Sequence, residues 1–377
     1  MKYLDISEVR KIQIDHNSTC NLRCPQCART VDGGTNPDLP LDQLQVSDYE
    51  RIFDGITKQL DSVIWCGNYG EVIFSPTFLD SISWVRENGY DGNIIINTNA
   101  SARSKDWWIK LAEIIGKRGQ VNFSIDGLKD TNHLYRVNAN FDKIMENAEA
   151  FIGAGGNARW DYLVFKYNEH QIDEAKILAK KIGFKKMQIK RTNRFVNDTQ
   201  YQGVKKDVEG KEVVKTRKAQ YDLEASKKED RSLSQHDLII QKFGSWKNYL
   251  DITNIKCRWK PIGQIFVDFQ ARVWSCTWTA SGIYHHGEKN TQRVQARKVL
   301  DKYGWDFNNL RKHSFKDILN HEYFGKDFCS SWQGKTSDEV PKLIACGRTC
   351  GTDYVFSSIH GKNSSMIDFT KEVANVS

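Results

Sequence analysis

Three cysteines lie close together near the start of the sequence. Cys20, Cys24 and Cys27 have the spacing C-x3-C-x2-C and follow a short apolar run that is typical of a first strand. A compact loop with three thiolates can bind one iron–sulfur cubane and leave its fourth iron without a protein ligand. An open coordination position is typical of a catalytic metal site, whereas a structural zinc has four closed ligands. The spacing therefore favours a catalytic cluster, with zinc as the alternative.

A second group of cysteines follows a long stretch that has none. Residues 68–256 contain no cysteine, and the group then comprises Cys257, Cys276, Cys329, Cys346 and Cys350. In a reducing compartment, thiols usually serve metals or catalysis rather than disulfides. Two separated pairs can converge on one metal, and spacing alone leaves zinc and an iron–sulfur cluster both open. Cys66 stands apart from both groups, and we interpret it as a small buried residue.

The elements that must position these thiols alternate between strand and helix from about residue 9 to residue 191. The predicted strands are Ile12–Ile14, Ser62–Trp65, Asn93–Asn97, Val121–Ile125, Tyr162–Phe165 and Met187–Ile189. The predicted helices are Ser47–Leu60, Thr77–Glu87, Ser104–Gly116, Phe141–Gly153 and Glu169–Ile182. This alternation predicts an α/β fold, a partial (β/α)6 TIM-like barrel, with ligands at the carboxyl ends of its parallel strands.

The second cysteine group indicates a further, smaller domain. We predict the barrel over 1–192, a polar linker or insertion over 193–250, a small C-terminal cysteine-rich auxiliary-cluster domain over 251–360 and a tail over 361–377. Within the third region, Gln264–Asp268 and Arg272–Trp274 have the pattern of a two-stranded hairpin.

Composition narrows the function classes. With 377 residues and 39% hydrophobic content, the chain can bury a substantial core. Its net charge of +8 suits an acidic peptide or a phosphate-bearing partner, and equally a solvated basic surface. No apolar run approaches the roughly 20 residues of a membrane span, and the charged N-terminus is not a signal peptide. We expect a cytoplasmic, soluble protein with neither a membrane nor a nucleic-acid partner.

The cysteine triplet and five later motifs resemble those of the radical SAM superfamily. Gly67–Glu71, after the second strand, looks like the glycine–glutamate motif that binds the amino group of S-adenosylmethionine. Ile96–Asn99 and Ser124–Gly127 look like the motifs of the third and fourth strands. Tyr135-Arg136 resembles the family's arginine that follows, and Lys166–Glu169 resembles a fifth-strand ending found in one branch. These matches cover about residues 10–191 in the family's order.

The resemblance implies a particular chemistry. The cysteine triplet would bind a [4Fe–4S] cluster, and the methionine amine and carboxylate of S-adenosylmethionine would chelate its open iron. One electron from an external reductant of the flavodoxin or ferredoxin type would then lead to a 5′-deoxyadenosyl radical, which takes a hydrogen from the substrate. No side chain beyond the cluster and cofactor is predicted to be catalytic. The implied cofactor-binding residues are Gly70, Glu71, Thr98, Asn99, Ser124, Asp126 and Arg136.

The second cysteine group resembles the auxiliary-cluster extension called SPASM or, in a shorter form, twitch. In that pattern a hairpin links the first two cysteines and a glycine stands five residues before the second, where this chain has Ala271. Two clusters need about seven cysteines, and Trp332 stands where a C-x2-C partner of Cys329 would fall. We therefore predict one auxiliary [4Fe–4S] cluster, with Cys329 as a substitute or spectator and with the ligands Cys257, Cys276, Cys346 and Cys350.

Three functions remain open from the sequence. The SPASM resemblance favours modification of a peptide or protein side chain, because many such proteins mature ribosomally made peptides. Only 19 residues precede Cys20, which we expect to leave no room for a leader-binding domain at that end. The alternatives are radical oxidation or rearrangement of a small metabolite, such as a sugar or amine, and a non-catalytic zinc-binding interaction module.

Overall fold

The computed structural model describes residues 1–31, 34–192, 203–206, 212–215, 223–224, 235–353 and 364–371. Its strands are β1 (Lys11–Ile14), β2 (Thr30–Val31), β3 (Gly34–Thr35), β4 (Ser62–Cys66), β5 (Asn93–Thr98), β6 (Gly119–Ser124), β7 (Ala158–Val164), β8 (Lys186–Arg191), β9 (Gly203–Lys206), β10 (Glu212–Lys215), β11 (Gln264–Val267), β12 (Val273–Trp274) and β13 (Ser364–Asp368). Its helices are α1 (Val46–Phe53), α2 (Phe78–Glu87), α3 (Lys105–Ile115), α4 (Asn132–Tyr135), α5 (Phe141–Gly153), α6 (Ile172–Ile182), α7 (Gln235–Phe243), α8 (Trp246–Ile252), α9 (Thr277–Ser281), α10 (Thr291–Tyr303), α11 (Phe315–Asn320), α12 (Phe328–Ser330) and α13 (Ile344–Cys350).

A single large sheet organises the described ranges. Its nine strands run in the order β12-β11-β1-β4-β5-β6-β7-β8-β13. Every neighbouring pair from β11 to β8 is parallel, and the two outermost pairs are antiparallel. Two short hairpins, β2–β3 and β9–β10, lie outside this sheet. The predicted α/β class and the partial barrel of parallel strands with crossover helices are confirmed.

The six predicted barrel strands are all present, and β7 differs most in its bounds. It begins at Ala158, four residues before the predicted start, because the charged pair Arg159 and Asp161 is part of the strand. Arg159 Nε lies 2.6 Å from an oxygen of Asp161, and Lys190 Nζ of β8 lies 2.6 Å from the other oxygen. The Asp161 carboxylate is therefore paired with one cation of its own strand and with one of the neighbouring strand.

The first predicted helix is shorter than its apolar pattern suggests. Helix α1 ends at Phe53, and Gly55 follows with a φ of +70°, a conformation that favours glycine. The chain then makes only a short 3-10 turn at Thr57–Gln59. Ser104, by contrast, caps α3 at the predicted start of that helix, since its side chain accepts a hydrogen bond from the backbone N–H of Trp107 at 3.3 Å.

The predicted C-terminal hairpin forms and also joins the barrel sheet. Strands β11 and β12 pair antiparallel, while β11 pairs parallel with β1, with Ile265 opposite Ile12. The hairpin turn contains Ala271 with a φ of +61°, the left-handed conformation in which the related pattern has glycine. The second cysteine region is thus attached through the strand that leads to Cys20. The domain boundaries themselves stay a prediction.

Strand β13 is a strand of the large sheet that sequence analysis missed. It pairs antiparallel with β8, with Met366 opposite Gln188, in a region predicted only as a tail. Its five residues are mostly exposed or half-buried, so no alternating apolar pattern marks them. The predicted polar linker 193–250 lies largely outside the described residues, apart from β9, β10, Leu223, Glu224, α7 and α8. Within the described ranges, no helix has both the length and the hydropathy needed to cross a bilayer.

We expect the β1–β11 pairing to carry much of the fold's stability. Ile265 is fully buried, so Ile265→Ala should lower the free energy of unfolding by about 2–5 kcal/mol through lost packing and a residual cavity. Ile177→Ala on α6 is the control, because Ile177 is 71% exposed and its truncation should change stability by less than about 0.5 kcal/mol. Urea denaturation followed by circular dichroism measures both, and equal losses would contradict the role of β11 in the barrel.

Candidate metal and cofactor site

The predicted cofactor residues lie at the carboxyl ends of neighbouring parallel strands. Strand β1 leads into the cysteine loop, β4 into Gly70 and Glu71, β5 into Asn99, and β6 into Asp126. Because β1, β4, β5 and β6 are consecutive in the sheet, these loops meet at the same edge. The sheet order therefore brings together motifs that are more than a hundred residues apart in sequence.

A close backbone contact joins the glycine–glutamate motif to the segment before Cys20. A Cβ atom on Gly70 would lie only 2.0 Å from the carbonyl oxygen of Asn17, so glycine is required there. The backbone N–H of Glu71 donates to the carbonyl of Thr19 at 2.7 Å, and the amide of Asn17 donates to the carbonyl of Glu71 at 3.2 Å. The cysteine loop and Glu71 are thus held in a fixed relative position.

The Glu71 carboxylate is buried and surrounded by neutral donors. Its side chain accepts from the backbone N–H groups of Asn99 at 2.7 Å and of Ile73 at 3.4 Å, and from the Thr98 side chain. Burial raises the pKa of Glu71, although these hydrogen bonds and the charge of Arg136 act in the opposite direction. Within the described ranges Glu71 makes no salt bridge. The site therefore has a carboxylate charge that a bound cation could neutralise, although the carboxylate is closed to solvent.

Cys20 lies next to this carboxylate. Burial and the charge of Glu71 raise the pKa of the Cys20 thiol to about 12. The Asn99 side-chain amide lies 3.9 Å from the Cys20 sulfur and donates to the side-chain oxygen of Asn21 at 3.0 Å. A thiolate at Cys20 consequently needs a positively charged partner such as a metal, which would displace its proton.

The three thiols of the loop share one apolar wall. Cys24 is buried, while Cys20 and Cys27 are partly exposed. The residues that pack together with these thiols are Leu22, Tyr135, Phe165, Tyr167 and Leu223. Such a wall excludes water from a bound cluster, which influences its reduction potential. The Tyr167 hydroxyl is buried without a hydrogen-bond partner among the described groups. Sequence analysis singled out its segment but not this side chain.

Asp126 and Arg136, predicted as separate cofactor contacts, form one buried ion pair. The Arg136 Nε atom lies 2.6 Å from an oxygen of Asp126, whose side chain is fully buried. The other oxygen accepts from the backbone N–H of Leu163 at 2.7 Å. Burial lowers the pKa of Arg136, but the charges of Asp126 and Cys24 outweigh it and raise the pKa overall. Asp126 thus fixes a guanidinium beside the cysteine loop.

The remaining predicted contacts occupy strand ends as well. Thr98 is the last residue of β5, and its hydroxyl accepts from the backbone N–H of Ala100 at 2.9 Å. Ser124 is the last residue of β6 and lies opposite Asp161 of β7 in the sheet register. Cys66 is the last residue of β4 and is partly exposed, whereas the sequence analysis interprets it as a small buried residue.

Four of the five C-terminal cysteines line one small cavity. Cys257 precedes a short turn, Cys276 lies at the start of α9, and Cys346 and Cys350 lie one turn apart on α13. The cavity wall also includes the aromatic side chains Trp259, Phe328 and Trp332. These four cysteines are the ones predicted as auxiliary ligands. Their role as ligands stays a prediction, and the fold places the four thiols at one cavity.

The charge states of these thiols differ. A hydrogen bond from Cys350, together with backbone N–H groups of Trp259 and Lys260, lowers the pKa of Cys257. The same interaction raises the pKa of Cys350, because its proton is shared with Cys257. Burial raises the pKa of Cys276 to about 11 and also raises that of Cys346. One thiolate is thus stabilised by its neighbours, as a metal site in a buried pocket requires.

Cys329 lies beside this group and not on the cavity wall. It is 5% exposed and packs in the main core, and burial raises its pKa to about 11. Among the described residues, no three or more histidine, cysteine, aspartate or glutamate side chains converge as a site for a single metal ion requires. In a cubane each cysteine binds a different iron, so its thiols surround a volume instead of one point. Both thiol groups have the donor type that a cubane needs.

Comparison with solved structures identifies the fold. SuiB from Streptococcus suis bound to the precursor peptide SuiA superimposes with a TM-score of 0.52 and 13% identity, over 92% of this chain and 73% of SuiB. SuiB is a radical SAM enzyme. The chain has the radical SAM fold. Against SuiB bound to S-adenosylmethionine the alignment has a TM-score of 0.47 and 14% identity, and there the chain spans only 60% of the length of SuiB.

Other radical SAM enzymes also superimpose over most of the chain. Native anSMEcpe with bound AdoMet gives a TM-score of 0.48 and 16% identity, covering 90% of this chain and 88% of anSMEcpe. BtrN in complex with AdoMet and 2-DOIA gives 0.44 and 11%, covering 93% and 96%. No protein-family model and no curated protein sequence matches the chain. At 13% identity, the superposition on SuiB bound to SuiA establishes the fold alone, and the function rests on the residues of the site.

The buried ion pair of this radical SAM fold gives a stability prediction. Asp126→Asn leaves Arg136, whose side chain is 15% exposed, without its carboxylate, which should cost about 3–5 kcal/mol of unfolding free energy. Asp142→Asn is the control, since its partner Lys129 is 73% exposed and such surface pairs contribute less than about 1 kcal/mol. Guanidinium denaturation of the iron-free protein measures both. A loss at Asp126 no larger than at Asp142 would show that the pair is not a structural unit.

Proposed function

We propose that this protein is a radical SAM enzyme that reductively cleaves S-adenosylmethionine and abstracts a hydrogen from a peptide or protein side chain. The observation that carries this proposal is the buried Glu71 carboxylate, held beside the Cys20 thiol by the backbone contact between Gly70 and Asn17. A cluster with one open iron matches the Cys20 thiol in position and in charge, and a cofactor with an ammonium group matches the Glu71 carboxylate.

Cys20, Cys24 and Cys27 are the proposed ligands of a [4Fe–4S] cluster. Three thiolates from one short loop leave one iron for a non-protein ligand. When bound, the cluster supplies the electron that breaks a carbon–sulfur bond of S-adenosylmethionine, and the resulting 5′-deoxyadenosyl group takes the substrate hydrogen. The protein's own contribution here is the apolar wall around Tyr135 and Phe165, which keeps water away from the reacting atoms.

Glu71 is the proposed partner of the cofactor's ammonium group. A buried carboxylate without a cation is costly, and an ion pair inside a protein repays its desolvation only when further hydrogen bonds support it. The N–H groups of Asn99 and Ile73 provide that support before the ligand arrives. Glu71 is therefore oriented in advance, and binding need not reorganise it.

Asp126 and Arg136 are proposed to act together at the opposite side of the cofactor. Asp126 has both oxygens occupied, so its role is to hold Arg136 rather than to bond the ribose directly. The Arg136 guanidinium can then offer its remaining N–H groups to an anionic group such as the cofactor's carboxylate. Thr98 would support the Glu71 carboxylate, and Ser124 remains a candidate ribose contact.

The four cavity cysteines are proposed to bind one auxiliary [4Fe–4S] cluster. Cys257, Cys276, Cys346 and Cys350 line a pocket whose wall also includes three aromatic side chains. The backbone N–H of Lys260 already points at the Cys257 sulfur at 3.5 Å. An auxiliary cluster supplies a site for electron transfer or substrate binding. The hairpin β11–β12 joins this region to β1 through strand pairing, so both clusters would be bound by segments that are connected to the same sheet.

A peptide substrate is proposed on two grounds. SuiB, whose fold the chain shares at a TM-score of 0.52, was solved with the precursor peptide SuiA. The chain also has an excess of 8 positive charges, which suits an acidic peptide. A flavodoxin- or ferredoxin-like protein is the proposed electron donor. Substrate-dependent release of 5′-deoxyadenosine, measured with peptide pools and with metabolite pools, tests the substrate class.

The first test concerns the catalytic cluster. Cys24→Ala should abolish formation of 5′-deoxyadenosine by the anaerobically reconstituted, dithionite-reduced protein, because two thiolates cannot hold the cubane. Cys66→Ala is the matched control, since Cys66 belongs to neither thiol group, and should retain activity near that of the unaltered protein. Liquid chromatography with mass detection measures the product. Cofactor cleavage by the Cys24→Ala variant would refute the site assignment.

The second test counts clusters. The reconstituted protein should contain about eight irons per chain, and Cys350→Ala should contain about four, because the auxiliary cubane is lost while the loop near the N-terminus is intact. The Cys350→Ala variant should still cleave some S-adenosylmethionine without coupling to substrate. Iron and sulfide analysis measures the content. About four irons in the unaltered protein, unchanged by Cys350→Ala, would exclude an auxiliary cluster on these thiols.

A further inference from the structure

Trp332 presents an unsatisfied donor to the cavity of the C-terminal cysteines. It lies in the short turn Ser331–Gln333 after α12, and its side chain lines the same cavity as the four thiols. The Nε1 atom is buried and has no hydrogen-bond partner among the described groups. The indole N–H can only donate, and leaving such a group unpaired in the interior is unfavourable. A bound acceptor would remove that cost.

The neighbours of Trp332 show which way the donor faces. The Trp332 ring packs edge-on against Phe328, with centroids 5.5 Å apart and an interplanar angle of 77°. Its N–H lies close enough to Cys346 to lower the pKa of that thiol, although burial raises the pKa overall. Tyr3, which packs against the same Phe328, differs because its hydroxyl already donates to the carbonyl of Ser275 at 2.8 Å. The tryptophan is thus the donor that is still available.

We infer that the Trp332 N–H donates a hydrogen bond to a sulfur of the auxiliary cluster at Cys346 and so sets that cluster's reduction potential. The inference rests on the proposed function and deepens it. Reduction adds one negative charge to the cluster, and an N–H directed at its sulfur stabilises that charge, which raises the potential. Trp332, which stands where the C-x2-C pattern would have a cysteine, then has a function of its own as a hydrogen-bond donor.

The experiment isolates the auxiliary cluster in the full-length chain. In a Cys24→Ala background, only this cluster is loaded by anaerobic reconstitution, and its midpoint potential is measured by titration monitored with electron paramagnetic resonance. Trp332→Phe keeps an aromatic ring and removes the donor. We expect a several-fold shift of the reduction equilibrium towards the oxidised cluster, where a tenfold shift corresponds to about 59 mV for one electron.

Two further variants make the result specific. Trp259→Phe removes an indole from the same cavity, and its backbone N–H to Cys257 is retained, so its potential should be unchanged. Trp332→His restores a ring N–H and should recover part of the shift. Trp332→Leu, which also removes the donor, is the test variant if Trp332→Phe does not fold. Iron content per chain should be equal in all three variants.

The outcomes separate this inference from the proposed function. An equal potential in Trp332→Phe and Trp259→Phe would overturn the hydrogen bond. A protein without iron in the Cys24→Ala background would overturn the auxiliary cluster and the inference together, while formation of 5′-deoxyadenosine by the unaltered protein would still support the catalytic site. A negative shift confined to Trp332→Phe and reduced in Trp332→His would establish Trp332 as a positioning residue of the cluster.

Discussion

The contact on which the site depends is the approach of the Gly70 backbone to the carbonyl of Asn17. Any side chain at Gly70 would collide with that carbonyl, so the loops that follow β1 and β4 can meet only with glycine there. The hydrogen bond from the Glu71 N–H to Thr19 completes the contact. A buried carboxylate and a cysteine loop, 44 to 51 positions apart in the chain, are thereby held together by backbone geometry before any ligand binds.

The buried charges of Glu71 and Arg136 determine which kind of ligand the site complements. Within the described ranges, Glu71 accepts hydrogen bonds but has no cation as a salt-bridge partner. Arg136 is paired with Asp126 through its Nε atom, and within the same ranges its other N–H groups remain for a ligand. A zwitterionic amino-acid group, with an ammonium at one end and a carboxylate at the other, complements this pair. The second thiol group is joined to the same sheet through β11, which pairs with β1.

Sequence analysis predicted the six barrel strands and the hairpin because their signals are local: apolar runs, turns and the cysteine spacing. It could not predict the ion pair between Asp126 and Arg136, since each residue separately has the pattern of a ligand contact. The early start of β7 depends on charge pairing between strands, and β13 has no apolar alternation. The unpaired N–H of Trp332 depends on which neighbours surround the ring, and such a neighbourhood is decided by tertiary packing.

The most direct measurement of the central claim is hyperfine spectroscopy of the reduced protein with S-adenosylmethionine labelled with ¹⁵N at the methionine amine. If Cys20, Cys24 and Cys27 hold a cubane with one open iron beside Glu71, we expect a ¹⁵N coupling that is present in the unaltered protein and in Cys350→Ala. The coupling should be absent in Cys24→Ala. A reduced cluster at these three cysteines that shows no ¹⁵N coupling with saturating cofactor would contradict the proposed site.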